Sequence, residues 1–512
     1  MTARPARFRL IGPPVASAAT LLGAVCALAA AAAVLPADAA AQARTCVIQP
    51  EPEPREVRQI AGPGGRPMRF ISGPFRVICG GDVTIAGDSA MTTGTGELRI
   101  IGNVFYEDST QTLTSDFANY FADAGRLFAR GNVIVRDRAT PSVVSGAELE
   151  YERVTPERPE TRVVVRGRPR AFLYEEGTPP LPEGLEPSPR QRVLGGDTIP
   201  GALQIDADRL ELMGESRMLA QGRVQMVQED MRAFGDAVDY DRGAGDLHLI
   251  GNARVEGEGY ELFGDRVDAG LAADQLESVV ATGQAALLAE EIEVYGSTIR
   301  AFLSEGEVER LVAVAPPALP AGAPTAQRAR AFAEEFTMLA DSIEAIAPGQ
   351  VVERVVAVGD AYAERRVDSL AVGAPELIAR DWVRGDTIVG TFVQARAPRR
   401  AEAEAQAEVQ ASDSVETQLE QLIAVAGEEP ARSLYRMASE DPDVERPAVN
   451  FLVAQRITLD FEEGEVGEVA AVGPIRGVHL EPGTAEGTPP ASVLPAADGE
   501  PAPDEAEQGG AS

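Results

Sequence analysis

The most regular feature of the chain is a short segment with apolar residues at alternating positions around a central glycine. Eight instances occur, at 98–106, 127–135, 163–171, 218–226, 247–255, 279–287, 355–363 and 469–477. The residues four before and two after each glycine are apolar, whereas the odd positions are mixed and often polar. Side chains of a β-strand alternate between its two faces, so the pattern predicts strands that share one apolar inner face.

A second type of segment precedes many of these strands and carries a small residue followed by aspartate. These aspartates are Asp116, Asp208, Asp236, Asp265 and Asp341. The repeat length is 29 residues from Gly102 to Gly131 and again from Gly222 to Gly251. Two strands per unit predict an all-β architecture of stacked rungs or a wrapped double sheet. Because the aspartates recur at equivalent positions, we interpret them as serving turns and strand starts rather than catalysis.

The inner face permits two interpretations. Its rows contain glycine and alanine, including Ala129, Ala220, Ala281 and Ala357, and few aromatic residues. Sheets lined in this way can leave a slot between them, or they can close into an ordinary filled sandwich or β-helix.

Two stretches carry the strand alternation most clearly: 113–137 (LTSDFANYFADAGRLFARGNVIVRD) and 234–255 (FGDAVDYDRGAGDLHLIGNARV). They resemble the OstA-like (organic solvent tolerance) domain of the periplasmic lipopolysaccharide-transport β-jellyroll family. The resemblance covers most of residues 80–310 and returns at 335–365 and 450–480. It implies repeated antiparallel strands that form V-shaped β-jellyrolls with open ends.

The resemblance also implies a function, a lipid-binding conduit or chaperone in lipopolysaccharide transport and outer-membrane assembly. Acyl chains would lie against the inner face. The residues expected to line this lipid groove are Leu98, Ile100, Val104, Leu127, Val133, Val135, Met218, Val224, Met226, Leu247, Leu249 and Val279. The implied partners are lipopolysaccharide or a similar envelope lipid and other jellyroll modules, stacked head to tail. No cofactor is expected.

The N-terminus has the pattern of an export signal over residues 1–43. Arginines precede an uncharged, alanine-rich run, and Ala41-Gln42-Ala43 fits a signal-peptidase site. An uncleaved membrane anchor is the alternative, because the apolar run is long. Export predicts a periplasmic protein, and its oxidising compartment favours a disulfide between Cys46 and Cys79 over two unrelated thiols.

Composition shifts along the chain predict its domain organisation. The predicted parts are a leading segment (44–79), a first jellyroll block (80–175), a Pro/Gly-rich loop (176–200), a second block (201–315), a linker (316–334), further β-repeats (335–396), an Ala/Glu-rich helical insert (397–445), a final β-repeat (446–480) and a disordered tail (481–512). The helix is predicted over 399–426, which lacks glycine and proline, and it can resume after Pro430 and extend to Ser439.

Charge and residue usage exclude several function classes. The net charge is −34 and every basic residue is arginine, which argues against nucleic-acid binding and removes lysine-dependent chemistry. The two histidines, His248 and His479, are far apart, so a histidine-based triad or metal site is not expected. No catalytic residue and no metal site is predicted. The alternatives to transport are a structural or adhesive β-solenoid with a filled core and, third, an enzyme acting on envelope polysaccharide.

Overall fold

The computed structural model describes residues 46–174, 201–316, 328–366, 380–396, 415–437 and 447–480, apart from short gaps at 53, 55, 63–66, 93–95, 215, 229–230, 258, 273–274, 290–291, 305–306, 334–335 and 463–464. The predicted export signal and the predicted disordered tail lie outside these residues. Within the described ranges, no helix has the length and apolar character needed to cross a bilayer.

The described residues form strands almost throughout, with a 3₁₀ turn at Pro348–Gln350. The strands are β1 (Cys46–Ile48), β2 (Glu56–Ala61), β3 (Pro67–Cys79), β4 (Val83–Thr92), β5 (Glu97–Glu107), β6 (Gln111–Phe121), β7 (Arg126–Asp137), β8 (Val143–Glu152), β9 (Arg162–Arg166), β10 (Arg170–Leu173), β11 (Leu203–Asp206), β12 (Arg209–Met213), β13 (Arg217–Gln228), β14 (Met231–Asp241), β15 (Asp246–Gly257), β16 (Tyr260–Ala272), β17 (Gln275–Ala289), β18 (Ile292–Ser304), β19 (Glu307–Val314), β20 (Ala329–Ala333), β21 (Phe336–Ala340), β22 (Ser342–Ile346), β23 (Arg354–Arg366), β24 (Arg380–Arg396), β25 (Val415–Val425), β26 (Ala431–Met437), β27 (Ala448–Ala454), β28 (Arg456–Glu462), β29 (Glu465–Val472) and β30 (Arg476–Leu480).

These strands pair antiparallel in a continuous meander, each long strand with the next one along the chain. Pairing continues across the predicted loop at 176–200, because β10 pairs with β11 on its far side. It also continues across the predicted linker, where β18 pairs with both β19 and β20. The all-β, antiparallel fold expected from the repeat is therefore confirmed.

Each long strand bends once near its middle, and the bends lie side by side along a line that we call the crease. In β5 the bend falls at Gly102 and Asn103, which have φ values of 78° and 46°, and the pairing register shifts there. In other places the bend divides the strand completely. Thus β9 and β10, on either side of Gly167, both pair with β8.

The crease divides the sheet into two leaves that face each other. The first leaf contains segments such as 98–101 and 117–121, and the second leaf contains segments such as 104–107 and 111–115. The core lies between the leaves, where residues such as Ile100, Val104 and Ala129 are fully buried. Two facing leaves joined along one edge are the V-shaped jellyroll arrangement that the family resemblance implies.

The predicted helical insert is wrong over the residues that the structure describes. Residues 415–425 form β25 and residues 431–437 form β26, while 397–414 and 438–446 lie outside the described residues. β25 pairs with β24 on one side and β28 on the other, and it buries Leu422 and Ala424 in the core. Sheet pairing on both edges outweighs the helix propensity of its Ala, Glu and Gln residues.

At the N-terminal end, β1 is attached to β3. Cys46 pairs directly with Cys79, and their Sγ atoms form a disulfide. This bond fixes the first described residues to the end of the second leaf.

Candidate functional site

The crease is built from a contact that recurs between neighbouring strands. Asn132 Nδ2 donates to Asp116 Oδ2 at 2.8 Å, and Asn103 makes the same bond to Asp88, also at 2.8 Å. A Cβ at Gly131 would lie 2.5 Å from Asp116 Oδ2, so only glycine allows the carboxylate to lie over the backbone. Asn252 and Asp236 repeat the arrangement at 2.9 Å.

The repeated aspartates therefore have a structural role at the crease. Asp208 and Asp341 directly precede β12 and β22, as predicted for strand starts, whereas the prediction is wrong for Asp116, Asp236 and Asp265, which lie inside β6, β14 and β16. β6 begins at Gln111, five residues before Asp116. The carboxylate accepts from the Gly-Asn segment of the next strand, rather than from a turn beside it. Strand periodicity could not reveal this contact, because its two partners lie on different strands 16 residues apart.

All of the predicted groove residues lie on the inner faces of the leaves. Ten of them are buried: Leu98, Ile100, Val104, Leu127, Val133, Val135, Met218, Val224, Met226 and Leu249. Leu247 and Val279 are partly exposed and pack against the same core. The inner face is therefore closed along part of its length and open along another part.

The closed part lies in the first block, where tyrosines fill the space between the leaves. Tyr106 on the second leaf lies 6.0 Å from Tyr120 and 5.9 Å from Tyr151, both on the first leaf, measured between ring centroids. The hydroxyls of Tyr106 and Tyr151 donate to Asp108 Oδ2 at 2.9 and 2.8 Å. We call this cluster of Tyr106, Tyr120, Tyr151 and Asp108 the tyrosine plug.

The plug holds a charged carboxylate in the interior. Burial would raise the pKa of Asp108, but hydrogen bonds from the Thr110 amide, Tyr151, Tyr106 and the Gln111 amide outweigh it and lower that pKa. Arg153 lies 3.7 Å from the carboxylate and also pairs with Asp82 at 2.6 Å. Of these contacts, the Tyr151 hydrogen bond and the Arg153 ion pair join the first leaf to the second leaf at this end.

The open part follows from β14 onwards, along a row of side chains that are cross-strand neighbours on the first leaf. In the first block this row contains Leu98, Tyr120, Leu127 and Tyr151, all buried. Further along the chain it continues as Tyr240, Leu247, Ala269, Val279, Ala301 and Leu311, all partly exposed. Val255 and Leu287 on the second leaf are also partly exposed.

We call the inner face of β14–β19 the trough. Its opening has a direct cause in the sequence. The position of Tyr106 is taken by Val255 and Leu287, and the position of Tyr120 is taken by alanine at Ala269 and Ala301. Smaller side chains do not span the gap between the leaves, so the apolar rows remain accessible.

The ionisable groups near the trough form pairs on the outer face. His248 Nδ1 lies 2.6 Å from Asp268 Oδ1 and 3.0 Å from a guanidinium nitrogen of Arg266. The part of the chain that the structure describes contains no cluster of His, Cys, Asp and Glu suited to a metal ion. The trough itself offers apolar contact surface.

Part of the chain is similar in sequence to a known protein family. Residues 198–274, which contain the start of the trough, match the family model described as LptA/(LptD N-terminal domain) LPS transport protein. The resemblance to lipopolysaccharide-transport proteins is therefore confirmed over this segment. No curated protein sequence gives a significant match.

A solved structure is also similar to part of the chain. It is the crystal structure of LptH, described as the LptA homologous periplasmic component of the conserved lipopolysaccharide transport device from Pseudomonas aeruginosa. The sequence identity is 20%, the match covers 28% of this chain and 89% of that chain, and the TM-score is 0.20. The similarity of residues 198–274 to the LPS transport family rests on the sequence match.

Proposed function

We propose that this chain is a periplasmic lipid-binding protein that takes part in lipopolysaccharide transport and outer-membrane assembly, as a conduit or chaperone. The observation that supports this most directly is the trough, a continuous apolar surface that is partly open to solvent over β14–β19. It overlaps the residues that match the LPS transport family.

The energetics of binding require no covalent chemistry. Each methylene moved from water to an apolar environment contributes about 0.8 kcal/mol, so a chain of about twelve methylenes gains about 10 kcal/mol before the cost of ordering it. Apart from Tyr240, the residues of the trough row are aliphatic, and aliphatic side chains make no directional contacts with a ligand. A chain held in this way can slide along the rows.

The proposal revises the extent of the groove. The tyrosine plug and the fully buried residues around it favour a structural role for the first block, with a filled interior as in the β-solenoid alternative. Lipid would occupy the second block and the repeats that follow it. Leu98, Ile100, Val104, Leu127, Val133 and Val135 are then core residues, and Leu247 and Val279 contact lipid.

Site-specific photo-crosslinking tests the proposal. A photoreactive amino acid is placed at Leu247 or Val279 in the full chain, expressed in cells that make lipopolysaccharide. We expect lipid adducts from both positions. Ile250, exposed on the outer face of the same strand as Leu247, is the matched control and should give none. Equal capture at all three positions, or no capture at any, would contradict the proposal.

A further inference from the structure

The inner face of the second leaf changes character towards the C-terminal end. Its row furthest from the crease contains Tyr260, which pairs with Gly257 and Ala289, then Ile292, which pairs with Ala333, and then Phe336. Over these strands the row is apolar apart from the tyrosine hydroxyl. Among the described residues, this row carries no charged side chain until β23.

From β23 onwards the same row is polar. Arg365 pairs with Phe336 on one side and with Asp381 on the other. Further on, Tyr435 pairs with Asn450, which pairs with His479. His479 Nδ1 lies 2.7 Å from Asn450 Oδ1.

A second arginine reaches this row from the next position on β26. Arg436 Nε donates to Asp381 Oδ1 at 3.0 Å, and the Arg436 side chain is only 7% exposed. Its Nη2 atom is buried and has no hydrogen-bond partner among the described residues. Asn450 Nδ2 is also buried and has no hydrogen-bond partner among the described residues. Unpaired buried donors are costly, and more so when they are charged, so a native ligand that accepts hydrogen bonds would stabilise them.

The charges at this end favour an anion. Asp381 forms an ion pair with Arg436 and lies opposite Arg365 in the pairing of β23 with β24. Burial raises the pKa of that carboxyl group, although Arg436 and Arg365 oppose the rise. The local balance is therefore positive in a chain whose net charge is −34. Arginine suits phosphate in particular, because its planar donors match two phosphate oxygens.

An apolar recess adjoins this polar row. It lies between the leaves and is lined by Phe336, Leu422, Leu459, Phe461 and Val466, with Arg365 and Asp381 among its walls. Hydrocarbon and anion can therefore be accommodated side by side.

We propose that Arg365, Arg436 and Asn450 form a binding site for a phosphate head group, at the end of the apolar surface that takes the acyl chains. The inference rests on the proposed lipid-binding function. It adds the chemical class of the head group and the orientation in which the lipid is bound. Chains lie towards the trough and the phosphate lies at β23–β27. Free phosphate offers the same acceptor oxygens without the hydrocarbon.

The test uses calorimetric titration of the full chain with dodecyl phosphate and, as an uncharged counterpart, dodecyl glycerol, both below their micelle concentrations. We expect dodecyl phosphate to bind at least about tenfold more tightly, as charge-assisted hydrogen bonds predict. Arg436→Gln and Arg365→Gln should abolish the preference. Arg310→Gln, which removes an arginine paired with Glu344 on the outer face, should retain it.

A variant with a higher affinity for dodecyl phosphate provides a second test, because a misfolded protein would lose affinity rather than gain it. Asp381→Asn removes the carboxylate that competes with phosphate, so dodecyl phosphate should bind several-fold more tightly to this variant. Equal binding of the two amphiphiles to the wild type, or a preference that survives Arg436→Gln and Arg365→Gln, would overturn the inference.

Three further outcomes separate the possible ligands. If inorganic phosphate alone binds as tightly as dodecyl phosphate, the ligand is a free anion and the link to the trough is wrong. If dodecyl glycerol binds and crosslinks at Leu247 but phosphate gives no preference, the head-group site fails while the lipid-binding function stands. If neither amphiphile binds, the lipid-binding function itself fails.

Discussion

At the scale of single residues, the crease depends on glycines that meet two requirements at once. Gly131 has a φ of 75°, and the Asp116 carboxylate occupies the space that a Cβ would need. Gly81, in the turn after β3, has a similar φ of 85° but has no atom near its Cβ position. Substitutions at the two glycines therefore separate the cost of backbone strain from the cost of a clash with the Asp116 carboxylate.

We expect Gly131→Ala to lower the free energy of unfolding by about 2 kcal/mol or more, from both effects. Gly81→Ala, the matched control, should cost about 1 kcal/mol, from the backbone alone. Urea denaturation followed by circular dichroism measures both values. Adding Asp116→Ala to Gly131→Ala should restore part of the loss. If Gly131→Ala and Gly81→Ala lower the free energy of unfolding equally, the proposed effect of the Asp116 contact is wrong.

The tyrosine plug leads to a prediction about pH. The pKa of Asp108 is lower in the folded chain than in the unfolded one, so its ionised form stabilises the fold above the unfolded pKa. This stabilisation is lost as the pH falls through the folded pKa. Asp108→Asn should be less stable than the wild type at pH 7 and should lose less stability between pH 7 and pH 3.

Unfolding curves at both pH values provide the measurement. Asp123→Asn, at an exposed carboxylate on the turn after β6, serves as the control for the loss of one negative charge. A pH dependence as steep in Asp108→Asn as in the wild type would show that other carboxylates cause the acid sensitivity.

At the scale of elements, the trough is open because alanine occupies two positions of its first-leaf row, Ala269 and Ala301. Ala269 lies directly between Leu247 and Val279 as their cross-strand partner. Ala269→Trp should fill the gap, as Tyr120 does in the first block. Because Ala269 is partly exposed, the free energy of unfolding should change by less than about 1 kcal/mol.

We expect this variant to reduce lipid crosslinking from Leu247 at least about tenfold, because each displaced methylene weakens binding. Ile250→Trp, on the outer face, is the control and should leave crosslinking unchanged. Normal crosslinking in a folded Ala269→Trp variant would place the bound lipid elsewhere.

Sequence periodicity predicts the inner face of the glycine-centred strands but not that of the aspartate strands, for a geometric reason. In β5 the two positive-φ residues Gly102 and Asn103 keep the alternation intact, so Ile100 and Val104 are both buried. In β6 the inner row shifts by one residue at Asp116, and Ser115 and Ala118 are both buried. A constant period of two cannot follow such a strand.

Over residues 415–426, which the structure describes, the helical prediction failed for a related reason. The composition of β25 favours a helix, and its place between β24 and β28 is visible only in the tertiary fold. The tyrosine plug and the polar row of Arg365 and Asp381 depend likewise on contacts between strands. Local sequence predicts the fold class and one inner face, and leaf-to-leaf contacts decide where that face is open.

At the scale of the whole molecule, the C-terminal end of the sheet exposes apolar residues. Val472, Ile475, Val478 and Leu480 are each more than half exposed on β29, β30 and the bend between them. Among the described residues, β29 pairs only with β28 and β30 only with β27. Free edges of this kind can accept a strand from another jellyroll module.

If the C-terminal end stacks on another module or on a second copy, Val472→Arg together with Val478→Arg should abolish the association. Sedimentation of the full chain over a range of concentrations measures self-association. Val314→Arg, at an exposed residue on an interior strand, should leave it unchanged. Association that persists in the double variant would exclude this edge as the contact.

The crease also means that the protein is modular in length. Each unit of two strands carries its own bend and pairs with its neighbours through backbone hydrogen bonds. Units can therefore be added or removed without changing the arrangement of the two leaves. Deleting residues 223–251 would join Gly222 to Asn252 and remove one 29-residue unit. The sheet would become shorter by two strand spacings, about 9–10 Å. Duplication of such units is a simple evolutionary route to a chain of this size.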